Sequence, residues 1–455
     1  GTKKFTYNAS YTYNREQGIA INSDYKRNLG NIKLEFRPAS KIKIGVSGRY
    51  NDQVIDGVST SNEGGASLNR LRQVIKYKPF ISFNEKVDEF DEDQFIETNG
   101  NSLGLINSVV LMRSEIRRKH QALANGSISF QYSFSKKLTF KTTAGYDYTR
   151  IRQTLFSDSV TADSRIYGAG NPILNLDSTT RKVLNISNVL TWNVKNYKKS
   201  HDFGVLVGQE IYNQWAQTQY HRRRDIPTFT TPKQAISDGS LVKVDSGSGF
   251  PRRAVFNSKQ LSFFSKVNYT FRDKYLFNAT IRYDGSSKFN PDDRWGFFPA
   301  ASVAWRVSRE KFIQKVKWLN DLKIRAGYGE SGNNRVLDYS YLTTFGPFNP
   351  YSLNNQNVTT LAPGSQLSNY FIQWETNVSR NLGIDATLFN NRVEIIVDLY
   401  RNSAENLLLQ APVSTALGYI NKIKNAGATV NKGIELQLNL VPVKTKNFTW
   451  NFNLN

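Results

Sequence analysis

Phe277-Asn278-Ala279-Thr280-Ile281-Arg282-Tyr283-Asp284 alternates apolar and polar side chains without a break. In a strand, successive side chains point to opposite faces. Phe277, Ala279, Ile281 and Tyr283 therefore share one face, and Asn278, Thr280, Arg282 and Asp284 share the other. Such a strand separates two environments. The same period recurs elsewhere: Phe5, Tyr7, Ala9, Tyr11 and Tyr13 against Thr6, Asn8, Ser10 and Thr12, and Ile434, Leu436, Leu438 and Leu440 against Glu435, Gln437 and Asn439. Around 16 such runs can be marked, each about 9 to 12 residues, which suffices to cross a bilayer when tilted.

The segments between the runs fall into two populations. Pro38-Ala39-Ser40, Ser135-Lys136-Lys137, Arg272-Asp273-Lys274 and Asn390-Asn391-Arg392 are tight polar turns that join neighbouring strands into hairpins. Residues 51–120, 150–180, 213–258, 329–372 and 403–428 are long connections. Long connections are rare inside a compact soluble domain unless they have a job. Short turns on one rim and long loops on the other describe an outer-membrane barrel of a Gram-negative cell. Rings cluster near strand ends, at Tyr11, Tyr13, Tyr146, Tyr148, Tyr269, Phe271, Tyr275, Trp450 and Phe452, where interfacial girdles need them. The expected fold is all-β: a transmembrane antiparallel up-and-down barrel with short periplasmic turns and long extracellular loops.

Composition narrows the chemistry. The 455 residues are 39% hydrophobic and 13% aromatic, with one Met and no Cys, which removes thiol nucleophiles, disulfides and cysteine zinc sites. His120, His201 and His221 are far apart in sequence and form no metal-binding spacing. No apolar run is long enough for a transmembrane helix, which leaves barrel strands open. The net charge of +23 would suit an anionic partner, but no nucleic acid is expected. The chain opens at Gly1 without a leader and closes at Asn455 inside an alternating run, so it reads as part of a longer protein.

Several constellations have competing explanations. Gly327-Tyr328-Gly329-Glu330-Ser331-Gly332 matches the GxGxxG spacing of a dinucleotide loop. It is followed by Asn333-Asn334-Arg335 rather than an apolar helix, and the strand before it alternates, so a strand running into a loop is expected. Asp88, Glu89, Asp91, Glu92 and Asp93 could gather calcium but lack the spacing of a calcium loop, and a solvated loop is the alternative. Arg113, Arg117, Arg118, Lys119 and Arg222-Arg223-Arg224 suit the phosphates of lipopolysaccharide, or stand as charged loop residues without fixed partners. No nucleophile elbow, Ser/His/Asp arrangement or prominent carboxylate pair is present. No enzymatic activity and no resident cofactor are expected.

Two blocks carry a family likeness. The first runs Arg282-Tyr283-Asp284-Gly285-Ser286-Ser287-Lys288-Phe289, Arg294-Trp295-Gly296-Phe297-Phe298-Pro299, Ala304-Trp305-Arg306, Leu322-Lys323-Ile324-Arg325, and Tyr328-Gly329 with Gly332-Asn333. The second contains Trp374-Glu375, Asn381-Leu382-Gly383-Ile384-Asp385, Leu407-Leu408-Leu409, Asn425-Ala426-Gly427, Asn431-Lys432-Gly433-Ile434-Glu435 and Phe448-Thr449-Trp450. Together they span about half the chain, and they resemble the SusC/RagA family of TonB-dependent outer-membrane transporters, which import nutrients such as glycans in the Bacteroidetes. The resemblance implies that residues 1–455 are part of a 22-stranded barrel whose N-terminal plug and last strands lie outside them, the size class of plugged transporters. It further implies a SusD-like surface lipoprotein as lid, a TonB complex acting through the absent N-terminal region, and dimers of transporter–lid pairs.

Lid-and-plug import of oligosaccharides, or of peptides, is therefore the expected function. A passive porin, or the barrel subunit of a larger outer-membrane assembly, is the alternative. Exposed rings stack on sugars, so Tyr167, Trp215, Tyr220, Phe345, Phe348 and Tyr351 are the candidate substrate or lid contacts, each with loop packing as its alternative. The family signature rests on Arg282, Asp284, Gly285, Ser286, Phe289, Arg294, Trp295, Gly296, Pro299, Trp305 and Arg306.

Overall fold

A computed structural model describes residues 2, 4–57, 112–161, 164, 168–198, 200–224, 226–228, 230–237, 252–347, 351–354, 356–358 and 360–455. One sheet dominates it. Its strands are β1 (Phe5–Gln17), β2 (Asp24–Ala39), β3 (Ile42–Asp56), β4 (Glu115–Ser133), β5 (Leu138–Ser157), β6 (Ile173–Tyr197), β7 (His201–Arg223) and β8 (Arg252–Phe271). They continue as β9 (Tyr275–Ser286), β10 (Trp295–Arg306), β11 (Leu319–Asn333), β12 (Glu375–Leu388), β13 (Val393–Glu405), β14 (Ala428–Lys444) and β15 (Thr449–Leu454). Each pairs antiparallel with its sequence neighbours, giving a 15-stranded meander in chain order. The up-and-down topology is the one expected from the hairpin turns, and the sheet is curved wall rather than a closed ring, since β1 and β15 are its two edges.

Register fixes which side chains share a face, because a slip of one residue would turn every apolar side chain inward. Tyr283 pairs with Phe263 and Phe297, Ile281 with Pro299, and Leu399 with Leu382 and Ile434. All of these point outward, and Ile434 is 73% exposed. The opposite face carries Asn278, Arg282, Lys323, Arg325, Asp385 and Asp398. A water-soluble sheet would hide the greasy face and show the polar one; here the arrangement is inverted, as a lipid-facing wall around a wet lumen requires.

The two rims also differ. Residues 40–41, 134–137, 198–200, 272–274, 307–318, 389–392 and 445–448 connect strands on one rim, and 18–23, 57–114, 158–172, 224–251, 287–294, 334–374 and 406–427 on the other. The expected asymmetry is present, but the strands are longer than the sequence suggested. β5, β6, β7 and β8 have 20, 25, 23 and 20 residues. Their upper ends break the alternation, with Phe156 and Leu174 buried in a local apolar cluster and polar residues elsewhere, while the hairpin ladder still satisfies the backbone. They project beyond the membrane as paired ribbons, so much of what looked like loop at 150–180 and 213–258 is strand.

Candidate functional site

The lumen wall and the base of the long loops form the surface that a solute would meet. On the wall, the Arg282 guanidinium donates from Nε to both oxygens of Asp284 at 2.8 and 2.9 Å, and from Nη2 to Ser262 Oγ at 2.9 Å and Glu210 Oε2 at 3.3 Å. Its flat face lies over the Phe264 ring, 5.4 Å from the centroid. Two strands along, Arg325 donates to Asp385 at 3.0 Å and to Asp398 at 2.6 Å, while Lys323 reaches the other Asp385 oxygen at 3.0 Å. Each guanidinium thus stitches neighbouring strands through charge-assisted bonds, which suit its fixed fork. Among the described residues, these two clusters give the lumen wall fixed, paired charge.

Above β9 to β13 the loops converge on a buried cluster of Phe289, Phe298, Val336, Ile372, Trp374 and Ile423. Trp374 packs against Phe289 and Phe298 with ring centroids 5.3 and 5.4 Å away, and its Nε1 donates to the Arg294 carbonyl at 2.9 Å. Asn290, fully buried, caps the 287–294 loop: its Oδ1 accepts from the Asp292 and Asp293 amides, and its Nδ2 donates to Asp293 and to the Tyr370 carbonyl. Asn369 donates to the Ile423 carbonyl, and Asn425 to the Gln373 and Asn406 carbonyls. Gln366–Leu367 pairs parallel with Asn421–Asn425, which in turn pairs with Leu408–Pro412. The 334–374 and 406–427 loops are therefore one folded layer, seated on the barrel through Trp374.

Some of the family-signature residues build this seat, and others lie elsewhere on the wall. Gly285 leaves room for the Trp295 indole, which stacks on Tyr283 at 4.7 Å; a Cβ on Gly285 would lie 2.8 Å from the ring. Gly296 and Gly332 flank the Phe298 ring so closely that a Cβ on either would collide with it. Ser286 Oγ accepts from Asn334 at 3.1 Å, and Phe289 is fully buried. Pro299 sits in β10 opposite Ile281. At the other rim, Trp305 Nε1 donates to Glu310 at 3.3 Å, and Arg306 lies 3.9 Å from Asp321. The GxGxxG run is also explained: Gly327 accommodates Asn381, Gly329 contacts Ala300 and Gly332 accommodates Phe298, so its glycines admit side chains of adjacent strands, not a phosphate.

The four aromatic candidates among the described residues fall on three separate strands. Trp215 and Tyr220, expected in a loop, lie on β7; five residues apart, they point to opposite faces. The Lys182 ammonium sits 5.3 Å from the Trp215 ring on the outward side, and Tyr220 is exposed on the lumen side. Phe345 is exposed in the ribbon Phe345–Pro347, paired with Leu361–Pro363. Tyr351 begins the ribbon Tyr351–Leu353, paired with Gln356–Val358. Tyr167, Phe348 and the acidic stretch 88–93 lie outside the described residues. Among the basic runs, Arg118 is engaged by Asp56 through bonds of 2.6 and 3.0 Å, and Arg222 donates to Asn175 at 3.0 Å, so neither is an unattended phosphate ligand. Among the described residues no group of three or more His, Asp or Glu side chains is arranged to hold a metal ion.

Sequence reasoning did not single out Glu210, Ser262, Asn369 or Asp398, because their partners lie far away in the chain, nor Asn290, whose distant partner is the Tyr370 carbonyl. It also passed over Glu310, which accepts from Lys274 Nζ at 2.7 Å, Tyr275 Oη at 2.7 Å and Trp305. Those donors, Lys274 first and then Tyr275, hold its carboxyl at about 2 against an ordinary 4.5.

Comparison with known proteins gives a consistent result. The family model described as TonB dependent receptor-like, beta-barrel matches residues 77–455. β1 to β3 precede the matched stretch yet continue the same sheet through the β3–β4 pairing. TonB-dependent receptor P39 of Formosa agariphila is 27% identical over 99% of this chain and 40% of its own length. TonB-dependent receptor SusC of Bacteroides thetaiotaomicron is 25% identical over 100% of this chain and 45% of its own. The chain thus spans less than half the length of these curated relatives. Among solved structures, the RagAB peptide importer in its closed-closed state superposes with a TM-score of 0.76 at 21% identity, over 98% of this chain and 48% of that one. The ferric-catecholate import receptor Fiu of Escherichia coli K12 gives 0.56 at 11% identity, over 97% and 59%. These two likenesses speak for the fold.

Proposed function

The chain belongs to the family of TonB-dependent receptor-like β-barrels, and from that membership we propose that it forms the wall and outer mouth of a SusC-like importer energised by TonB. Its place is the outer membrane, and its family is one of receptor barrels rather than enzymes. Oligosaccharide is the proposed cargo, with a SusD-like lipoprotein closing over the loops. The observation that carries the proposal is the folded layer at the mouth: the 334–374 and 406–427 loops are locked together by a shared small sheet and seated on Trp374. A lid needs a firm rim to close against, and loops left as free coil would not provide one.

A second cargo has a specific reason behind it, since the RagAB structure bears the name of a peptide importer. Uptake by whole cells separates the readings. Cells carrying the intact gene should accumulate labelled oligosaccharide, and lose that capacity when the gene or the TonB system is deleted. Peptide uptake with the same dependence would change the cargo and leave the transport class intact. Uptake that persists without TonB would make the barrel a passive porin and refute the proposal. Co-purification in mild detergent should bring down one surface lipoprotein in equal amount.

A further inference from the structure

The short-turn rim carries a charge bias that import does not use. Each of its seven connections contains at least one Lys or Arg, whereas Asp273 and Glu310 are their only acids, and Glu310 is already taken by Lys274. The largest connection, 307–318, has an unusual build. Glu310 N donates to Val307, Ile313 N to Glu310, Val316 N to Ile313 and Leu319 N to Val316, so the backbone closes a turn at every third residue. With three residues per turn, side chains three apart stand above one another. Exposure follows the same period: 310, 313, 316 and 319 are half-buried against the barrel, and every residue between them is exposed. The two outer faces therefore carry Phe312, Lys315 and Trp318 on one side, and Lys311 and Lys317 on the other.

Phe312 is 68% exposed, Trp318 54% and Phe389 53%, and the Trp318 and Phe389 rings stack at 6.1 Å. Large rings held in water beside lysines that form no ion pair among the described residues are poorly placed for an aqueous surface. They are well placed for a membrane interface, where rings enter the acyl boundary and ammonium groups meet headgroups. We propose that the 307–318 foot, with Phe389 beside it, binds anionic phospholipid headgroups of the periplasmic leaflet through Lys311, Lys315 and Lys317, with Phe312 and Trp318 as its anchors. Cationic groups near an anionic surface contribute about fivefold in affinity each and are weakened by salt. The inference rests on the barrel standing in the membrane with this rim toward the periplasm.

The test uses the full-length protein in nanodiscs of phosphatidylcholine containing brominated phosphatidylcholine or brominated phosphatidylglycerol at equal bromine density. The quenching that wild type shows and W318F lacks reports lipid at Trp318. Brominated phosphatidylglycerol should quench this signal at far lower mole fraction than brominated phosphatidylcholine, and high salt should erase the difference. The variant K311Q/K315Q/K317Q should lose on the order of 100-fold of the preference. Its heat-dependent electrophoretic shift should match wild type, since the lysines are exposed. Equal quenching by the two lipids, or a preference that survives the triple variant, overturns the proposal. Capture of an acidic periplasmic protein without lipid preference overturns it as well. Absence of quenching by either lipid across all tryptophans would instead refute the membrane placement itself.

Discussion

Trp374→Ala should loosen the mouth of the barrel while leaving the wall intact. The indole is 8% exposed, packs on Phe289 and Phe298, and caps the Arg294 carbonyl. Removing a buried tryptophan from a core costs about 3 to 5 kcal/mol, and leaving the carbonyl without its donor is worth roughly another 1 kcal/mol. The lost contacts lie between loops and strand ends, not between strands. The cost therefore falls on local opening of the loop layer, a unit that can unfold without the barrel. At about 1.4 kcal/mol per factor of ten, the combined ~4 to 6 kcal/mol should accelerate exchange of protected amides in the layer on the order of a thousandfold to ten-thousandfold. Hydrogen exchange on the full-length protein in detergent reads this directly. Peptides from 287–294, 361–374 and 406–427 should speed up together, and those from β4 to β8 should not. Trp374→Phe separates the two contributions, because it keeps most of the ring packing and loses only the hydrogen bond, so roughly a fivefold change is expected. Exchange in the three loops that stays within tenfold of wild type for the alanine variant would refute the role of Trp374 as the seat.

Ile434→Arg places a cation on the outward face and should cost about 2 to 4 kcal/mol at mid-membrane depth, read from denaturant titration in lipid vesicles; a neutral effect would contradict the assignment of that face to lipid. Arg325→Met leaves Asp385 and Asp398 facing each other across neighbouring strands and should cost roughly 2 to 3 kcal/mol, with Asp398→Asn in the same chain restoring part of it in a double-mutant cycle. Glu310 has a depressed folded pKa, so its anchoring of Lys274 and Trp305 is complete above 4.5 and is lost as pH falls toward about 2. Glu310→Gln should flatten stability between those pH values, measured by thermal unfolding across the range, and an unchanged acid limb would show that the contacts carry no linkage.

The barrel was legible because alternation is a local property: Phe277 to Asp284 declare their faces with no knowledge of their neighbours. Strand length was not, since the ends of β6 and β7 leave the membrane and lose the alternation there while keeping the ladder. The signature glycines were visible as letters, but their purpose needed the third dimension. Gly332 is small because Phe298, far back in the chain, lies across it. The ion-pair partners of Arg282 and Arg325 were hidden for the same reason, as Glu210 is distant in sequence and Asp398 is one polar residue among many. An aromatic residue does not by itself mark the mouth, because a ring such as Trp215 can serve a strand's outer face as readily as a solute.

The opposite orientation of Trp215 and Tyr220 on one projecting strand carries a consequence for how such a protein changes over time. Outward positions above the membrane face the surroundings, whereas the intervening positions face the lumen. Because the two sets interleave at every second residue, each can be rewritten without disturbing the other, and the backbone ladder between them records neither change. A barrel of this kind can change its outer surface while its inner wall stays the same.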